Sequence, residues 1–356
     1  MTEHPLQLEQ TWPAPSSPRP IVLLGGGDIV RHAHVPAYLK SNLPVAGVYD
    51  LDRSRAEARV SELGGGARVF ETMGEAVSVP DAVFDVATPP KAHLEVLDQI
   101  PDGSVLIMQK PMGRTFDTSR AIVDLCNRKR LVAAVNFQLR FGSHMLAVRD
   151  FLHRGLMGDL VDIDVHLNLQ TPWQSFPFLE GEERVEILIH SVHYLDLIRS
   201  FAGDPQGVYA RTVKHPATAR LASTKSSMIL NYGDLLRVCL SINHDFPFAG
   251  PHEEALIRFQ GTEGAAIVRL GLLLDYPKGR SDKLEVIGKG TDGWTNVPLE
   301  GGWFPDGFIG SMHNLQRFAA GEDDVLVSSV DDAFKTMSLV EACYRSDADG
   351  GEPVPE

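Results

Sequence analysis

The sequence predicts a two-part protein: a doubly wound parallel α/β sheet, then an α+β part built on an open antiparallel sheet. Three observations carry this. From residue 21 to residue 141, short apolar runs alternate with stretches of helical period, the mark of parallel strands joined by crossover helices. Beyond residue 150, apolar and polar residues alternate in strand-like runs joined by turns such as "NYGD" and "GTEG", as in an antiparallel sheet with one solvated face. At 356 residues the chain also exceeds what one hydrophobic core comfortably serves, so two domains are expected.

Taken in order, "RPIVLLGGG" is an apolar run ending in glycines and reads as a buried strand and its turn. A helix follows to Tyr38. "VAGVYD" (45–50) is a second strand ending in an acid, "RSRAEARVSEL" a helix, and "VFDVATPP" (83–90) a strand stopped by two prolines. "HLEVLDQI" is a helix, "SVLIMQKP" (104–111) a strand, "TSRAIVDLCNRKR" a helix and "LVAAVNFQLRF" (131–141) a strand. The second part reads as strands at 161–170, 207–215, 226–233, 235–245, 255–261, 265–276 and 283–290. A helix lies between the first two, and "FIGSMHNLQRFAAG" and "VDDAFKTMSLVEACYRS" close the chain as helices. The expected division is a flexible arm (1–20), rich in proline, a parallel-sheet domain (21–145) and an α+β domain (146–356).

Composition narrows the function. The net charge of −14 and the lack of any long basic block argue against nucleic acid or an anionic membrane surface as partner. No apolar run reaches the roughly 18 residues of a membrane span. Cys126, Cys239 and Cys343 stand alone with no CxxC pair, which points to a reducing, cytoplasmic compartment and away from disulfides or a thiolate zinc site. The N-terminal twenty residues hold five prolines and no basic start before an apolar stretch, so they do not read as a secretory signal.

The turn "GGGDIV" (25–30) sets Gly25 and Gly27 two apart between a strand and a helix. The first allows a tight turn. The second lets the amides of Gly27, Asp28 and Ile29 approach a pyrophosphate at the helix N-terminus. The third glycine of G-x-G-x-x-G is replaced by Val30, which demands a different helix–strand packing. Asp50, ending the second strand, is placed to accept from a ribose diol, and an acid there disfavours a 2′-phosphate. NAD is the expected cofactor, with Arg53 close enough in sequence to leave NADP open. "ATPPKAH" lies at a carboxyl strand edge, where Thr88 and Pro89 would meet the cofactor; His93 would either touch it or cap the next helix.

Three further stretches carry chemistry. Asn136, Gln138 and Arg140 alternate in "VNFQLRF", which on a strand puts all three on one face, suited to hydroxyls or, through Arg140, a carboxylate. "TPWQSFPF" (171–178) offers Trp173 either as a platform for a sugar face or as ordinary packing. In "EILIHSVHYLD" (186–196), Glu186, His190 and His193 fall near one face of a helix. That pattern suits a metal, an acid/base site or a satisfied piece of core.

In order and spacing, "GGGDIVRHAHVPAY", "YDLD", "ATPPKAH", "QKPMG", "NFQLRF" and "HSVHYLD" resemble the Gfo/Idh/MocA family of NAD(P)-dependent sugar and polyol oxidoreductases. The resemblance covers nearly all the chain after residue 20. It implies a homodimer or homotetramer formed through the second-domain sheet. It makes Lys110, in Gln109-Lys110-Pro111, the match of the family's catalytic lysine next to the cofactor. It makes His193 and Asp196 the last two members of an Asp-x-Gly-x-His-x-x-Asp pattern, His193 being proton acceptor or substrate ligand. Two departures stand out. Gln109 replaces the family's Glu, and loss of that anion leaves Lys110 more readily neutral, closer to a working base. Ile189 and Ser191 replace the pattern's Asp and Gly, so His190 or Glu186 is expected to orient the substrate instead. Hydride transfer needs no metal, and none is expected here. The expected reaction is oxidation of a secondary hydroxyl of a sugar, cyclitol or sugar acid by Lys110/His193 acid–base chemistry. The alternatives are an oxidoisomerase of the D-apionate type, a lyase or glycosidase using NAD transiently, and a non-catalytic dinucleotide-sensing regulator.

Overall fold

The computed structural model describes residues 6–248, 250–276, 279–352 and 354. The chain divides into two compact units, one of residues 11–142 with 304–337, the other of 1–10, 143–303 and 338–356. The division differs from 21–145 and 146–356 in one main respect: the helix Asp306–Ala319 folds with the first unit, which is therefore discontinuous in sequence.

The first unit is a six-stranded parallel sheet of β1 (Ile21–Leu24), β2 (Val45–Tyr49), β3 (Arg68–Val69), β4 (Val83–Val86), β5 (Val105–Met108) and β6 (Val132–Val135). Its order is β3-β2-β1-β4-β5-β6, the doubly wound arrangement that the alternating pattern predicts. All four residues of β1, β4 and β5 are buried, because helices cover both faces of such a sheet. One apolar cluster joins Ile21, Leu23, Val83 and Ile107 to Phe308, Met312 and Leu315 of the late helix.

Two expectations in this unit change. The strand expected over 131–141 ends at Val135, and Gln138–Phe141 forms a 3₁₀ turn. Asn136, Gln138 and Arg140 therefore do not share a strand face. Tight packing is the reason: a Cβ at Gly307 would lie 2.4 Å from the Gln138 carbonyl oxygen, and one at Gly310 would lie 2.7 Å from Phe141 Cβ. The two glycines let the late helix press onto this turn. The arm expected over 1–20, of which 1–5 lie outside the described residues, is tied down between 12 and 19. Trp12 Nε1 donates to Asp323 (2.8 Å), and the Arg19 amide donates to Gln316 Oε1 (2.7 Å).

The second unit is an eight-stranded sheet of β7 (Leu160–Asn168), β8 (Gly207–Val213), β9 (Lys225–Asn231), β10 (Arg237–Asn243), β11 (Glu254–Gly261), β12 (Ala265–Arg269), β13 (Lys283–Ile287) and β14 (Thr295–Val297). The order is β14-β13-β12-β11-β7-β10-β9-β8, antiparallel except for the parallel pair β7/β10. The sheet is thus mixed rather than purely antiparallel. Burial alternates along β9 and β10, as the sequence pattern requires of a sheet with one covered face. The strand expected over 265–276 stops at Arg269. It turns at Gly271, where a Cβ would sit 2.3 Å from the Arg280 carbonyl oxygen.

Candidate active site

In the first unit the glycine turn is built from three different constraints. Gly25 has φ +114°, a region that favours glycine, and its amide donates to the Tyr49 carbonyl (2.7 Å). A Cβ there would lie 2.7 Å from the Ala87 carbonyl oxygen, so Gly25 is needed to seat the 87–88 loop. Gly26 is crowded by Arg55 of the helix after β2 (Arg53–Leu63), its amide donates to Asp50 Oδ2 (2.7 Å), and Arg59 Nη1 reaches its carbonyl (3.3 Å). Gly27 alone has open space where a Cβ would go. Val30, in place of the third glycine, is fully buried and opens a π-helical turn, Val30–His34, so a wider turn accommodates the larger side chain.

The residues around this turn fit NAD. The amides of Gly27, Asp28 and Ile29 lie in the first turn of a helix, where N–H groups lack intrahelical acceptors. Space lies open beside Gly27 for a group that a side chain would exclude. Asp50 is oriented by Gly26 and by the Asp52 amide (2.8 Å to Oδ1), and its oxygens keep lone pairs for a diol. The Thr88 hydroxyl is buried with no hydrogen-bond partner among the described residues, while Pro89 beside it is exposed. His93 is fully buried, with Nδ1 3.1 Å from the Met112 carbonyl and Nε2 3.1 Å from that of Thr88. It makes no helix cap. Burial lowers its pKa and favours the neutral ring, whose single N–H donates to one of these two carbonyls at a time.

Lys110 follows β5 directly, and burial lowers its amine from the usual lysine value to about 8. Desolvation penalises the ammonium, so this lysine can hold or release a proton near neutral pH. Gln109 beside it is buried, and its Nε2 lies 2.6 Å from His34 Nε2. His34 Nδ1 in turn meets Asp85 Oδ2 at 2.5 Å, and the Tyr38 hydroxyl donates to the same oxygen at 2.6 Å. Sequence reasoning passed over this chain, although an acid within the apolar strand "VFDV" is a visible signal: a buried carboxylate requires partners. Arg59 was missed as well.

The three residues expected on one strand face turn inward. The Ser311 hydroxyl donates to Asn136 Oδ1 (2.8 Å). Gln138 is almost wholly buried. Arg140 donates to the Val327 carbonyl (2.8 Å) and pairs with Asp332 (2.6 Å), so its guanidinium is engaged within its own unit.

In the second unit the segment 186–196 is not one regular α-helix. Ile187–Ser191 forms a π-helical turn and Val192–Ala202 an α-helix. The wide turn shifts the register, so Glu186 accepts from the Ser191 hydroxyl five residues on (2.6 Å) rather than lining up with His190. Glu186 is fully buried, facing His244 Nε2 at 3.7 Å, which corrects its expected role as a substrate-facing group. His190 stacks on His244 at 4.5 Å between centroids, and Trp173 stands edge-on to both. Trp173 Nε1 donates to Asp245 (2.9 Å), and the Thr171 hydroxyl lies 2.8 Å from His244 Nδ1. Burial pushes the Asp245 carboxyl up. Hydrogen bonds from Thr218, Thr224, Trp173 and Gln170 outweigh that and hold it below the usual carboxylate range. His193 is nearly buried and meets Trp303 edge-to-face at 5.3 Å; Asp196 is buried. His244 and Asp245 were not foreseen, because the end of β10 meets this helix only through folding. Among the described residues no group of three or more His, Cys, Asp or Glu side chains could hold a metal ion. No helix there is long and apolar enough to cross a membrane.

Comparison with known proteins follows the same lines. Residues 20–137 match the model of an oxidoreductase family with an NAD-binding Rossmann fold. Glucose-6-phosphate 3-dehydrogenase of Bacillus subtilis (strain 168) is 27% identical over 148 residues, 41% of each chain, so the chain spans less than half of that relative. D-apiose dehydrogenase of Rhizobium rhizogenes (strain K84 / ATCC BAA-868) is 22% identical over 316 residues, covering 86% of this chain and 88% of its own. The crystal structure of an oxidoreductase from Agrobacterium radiobacter, in complex with NAD+, L-tartaric acid and magnesium, superposes with a TM-score of 0.75. It covers 94% of this chain and 98% of its own at 21% identity, a likeness of fold.

Proposed function

We propose, for a chain that belongs to the Gfo/Idh/MocA oxidoreductase family, the oxidation of a secondary hydroxyl on a sugar, cyclitol or sugar acid. The observation that carries this is Lys110, an amine at the carboxyl end of β5 whose pKa burial brings down to about 8. NAD, when bound, supplies the hydride acceptor. Lys110 Nζ takes the hydroxyl proton; the family resemblance names His193 as the alternative acceptor. Asp50 and the amides after Gly27 hold the cofactor. Trp173 and His190 offer an aromatic and hydrogen-bonding surface for a polyhydroxylated ligand. D-apiose dehydrogenase, which aligns over most of both chains, supports a carbohydrate as the substrate class. With Arg140 engaged by Asp332, recognition of a substrate carboxylate falls to other residues.

The test is NADH formation across D-apiose, D-apionate, aldoses, other aldonic acids and inositols. Turnover of at least one, lost in Lys110→Met, is the expected result. Clear NAD binding with no turnover of any would overturn the reading in favour of a regulator or a lyase that holds its cofactor. Analysis of the carbon skeleton of the product from D-apionate separates plain oxidation from oxidation with rearrangement.

A further inference from the structure

The buried chain behind Gln109 has a direction, and the direction follows from which groups can donate. Asp85 Oδ2 lies 2.5 Å from His34 Nδ1 and 2.6 Å from the Tyr38 hydroxyl, and all three residues are buried. A carboxylate only accepts, so Nδ1 carries a proton and Tyr38 donates its own. Burial, and the charge of Asp85, raise the Tyr38 pKa, which keeps that proton in place. The next link is Gln109 Nε2, 2.6 Å from His34 Nε2. An amide NH₂ is a donor only, and two donors cannot face each other at this distance. His34 Nε2 is therefore the acceptor, the ring is neutral, and the amide is turned with Oε1 away from the imidazole.

From this polarity we infer that Asp85 and His34 are positioning residues, which lock Gln109 so that its carbonyl oxygen, and not its NH₂, meets a hydrogen-bond donor of bound NAD. The inference rests on the functional reading above, since it takes NAD to lie along the carboxyl edge of this sheet. It also accounts for the glutamine. Asp85 sets a neutral imidazole with a lone pair at Nε2, and an amide completes that pair without a further charge, whereas a carboxylate there would need a second proton on the ring. The π-helical turn Val30–His34 carries His34, so the wide turn that accommodates Val30 also serves this contact.

Nitrogen NMR of the full chain labelled at histidine reads the tautomer without any turnover, with His34 assigned by its loss in His34→Gln. The expected state is a proton on Nδ1 and a bare Nε2; a proton on Nε2 overturns the inference. Asp85→Asn is the functional arm, because an asparagine NH₂ facing Nδ1 favours the opposite tautomer. It should move the proton to Nε2, turn the Gln109 amide, and weaken the NAD Kd by about 3- to 10-fold, the scale of one hydrogen bond. Tyr38→Phe, which keeps the Asp85–His34 contact, should leave both the tautomer and the Kd in place. A switched tautomer with an unchanged Kd would overturn the inference. If Asp85→Asn does not fold, Gln109→Leu takes its place: an unaltered NAD Kd there defeats the proposal, and the same 3- to 10-fold weakening upholds it. Absence of NAD binding by the unaltered protein would instead defeat the functional reading.

Discussion

Gly25 and Ala87 meet so closely that a Cβ on the glycine would stand 2.7 Å from the alanine carbonyl oxygen, whereas Gly27, two residues on, has open space around it. The two glycines of one turn thus do different work. Gly25→Ala should impair folding of the first unit, because the residue also has φ +114°. Gly27→Ala should leave the melting temperature within a few degrees and raise the NAD Kd. Thermal melts with NAD titrations check both; equal thermal losses would contradict the distinction.

Lys110 predicts a pH dependence with a definite sign. Its amine is brought down to about 8, and only the neutral form accepts a proton. Activity as kcat/KM should therefore rise with pH through a midpoint near 8. Lys110→Met should lower kcat by roughly 10²- to 10⁴-fold and remove that limb. Stability follows the same sign. A lysine depressed in the folded state binds fewer protons than when unfolded, so its contribution improves as pH rises from about 8 towards 10.5. Urea midpoints of wild type and Lys110→Met, compared across that window, measure it.

Arg140 and Asp332 form an ion pair at 2.6 Å, with the arginine side chain almost fully enclosed. Removing Asp332 takes this carboxylate from the enclosed guanidinium, so Asp332→Ala should cost about 3 kcal/mol of stability. A double-mutant cycle with Arg140→Ala measures how much of that loss the pair shares. KM for acidic and neutral substrates should shift alike, and a selective loss for sugar acids would restore the carboxylate-clamp role.

His190 and His193 should separate kinetically. His193→Asn is expected to lower kcat, by about 10²-fold or more if it transfers the proton. His190→Ala, which removes the ring stacked on His244, should act chiefly on KM for the carbohydrate. Steady-state kinetics at saturating NAD distinguish them, and an unchanged kcat in His193→Asn would assign proton transfer to Lys110 alone.

Much was legible from residue order alone. Strand–helix alternation and the glycine turn announced the parallel sheet, because these are local patterns of period and turn chemistry. Lys110 was marked by its place after an apolar strand. Its lowered pKa comes from burial, the desolvation that a lysine after an apolar strand leads one to expect.

Contacts between segments distant in sequence had to come from the tertiary structure. Alternation at Asn136, Gln138 and Arg140 looked like a strand face until Gly307 and Gly310, some 170 residues later, pressed a helix onto that turn. Glu186, His190 and His193 looked close to one helix face until a π-helical turn changed their register. His34, Asp85 and Gln109 come from a helical turn, the interior of one strand and the end of another, which no spacing connects. Sequence alone determined the period of each element and the chemistry at its ends. Which side chain faces a ligand and which is spent on a buried partner was decided by packing, because burial of a polar group is stable only where another segment brings its hydrogen-bond partner.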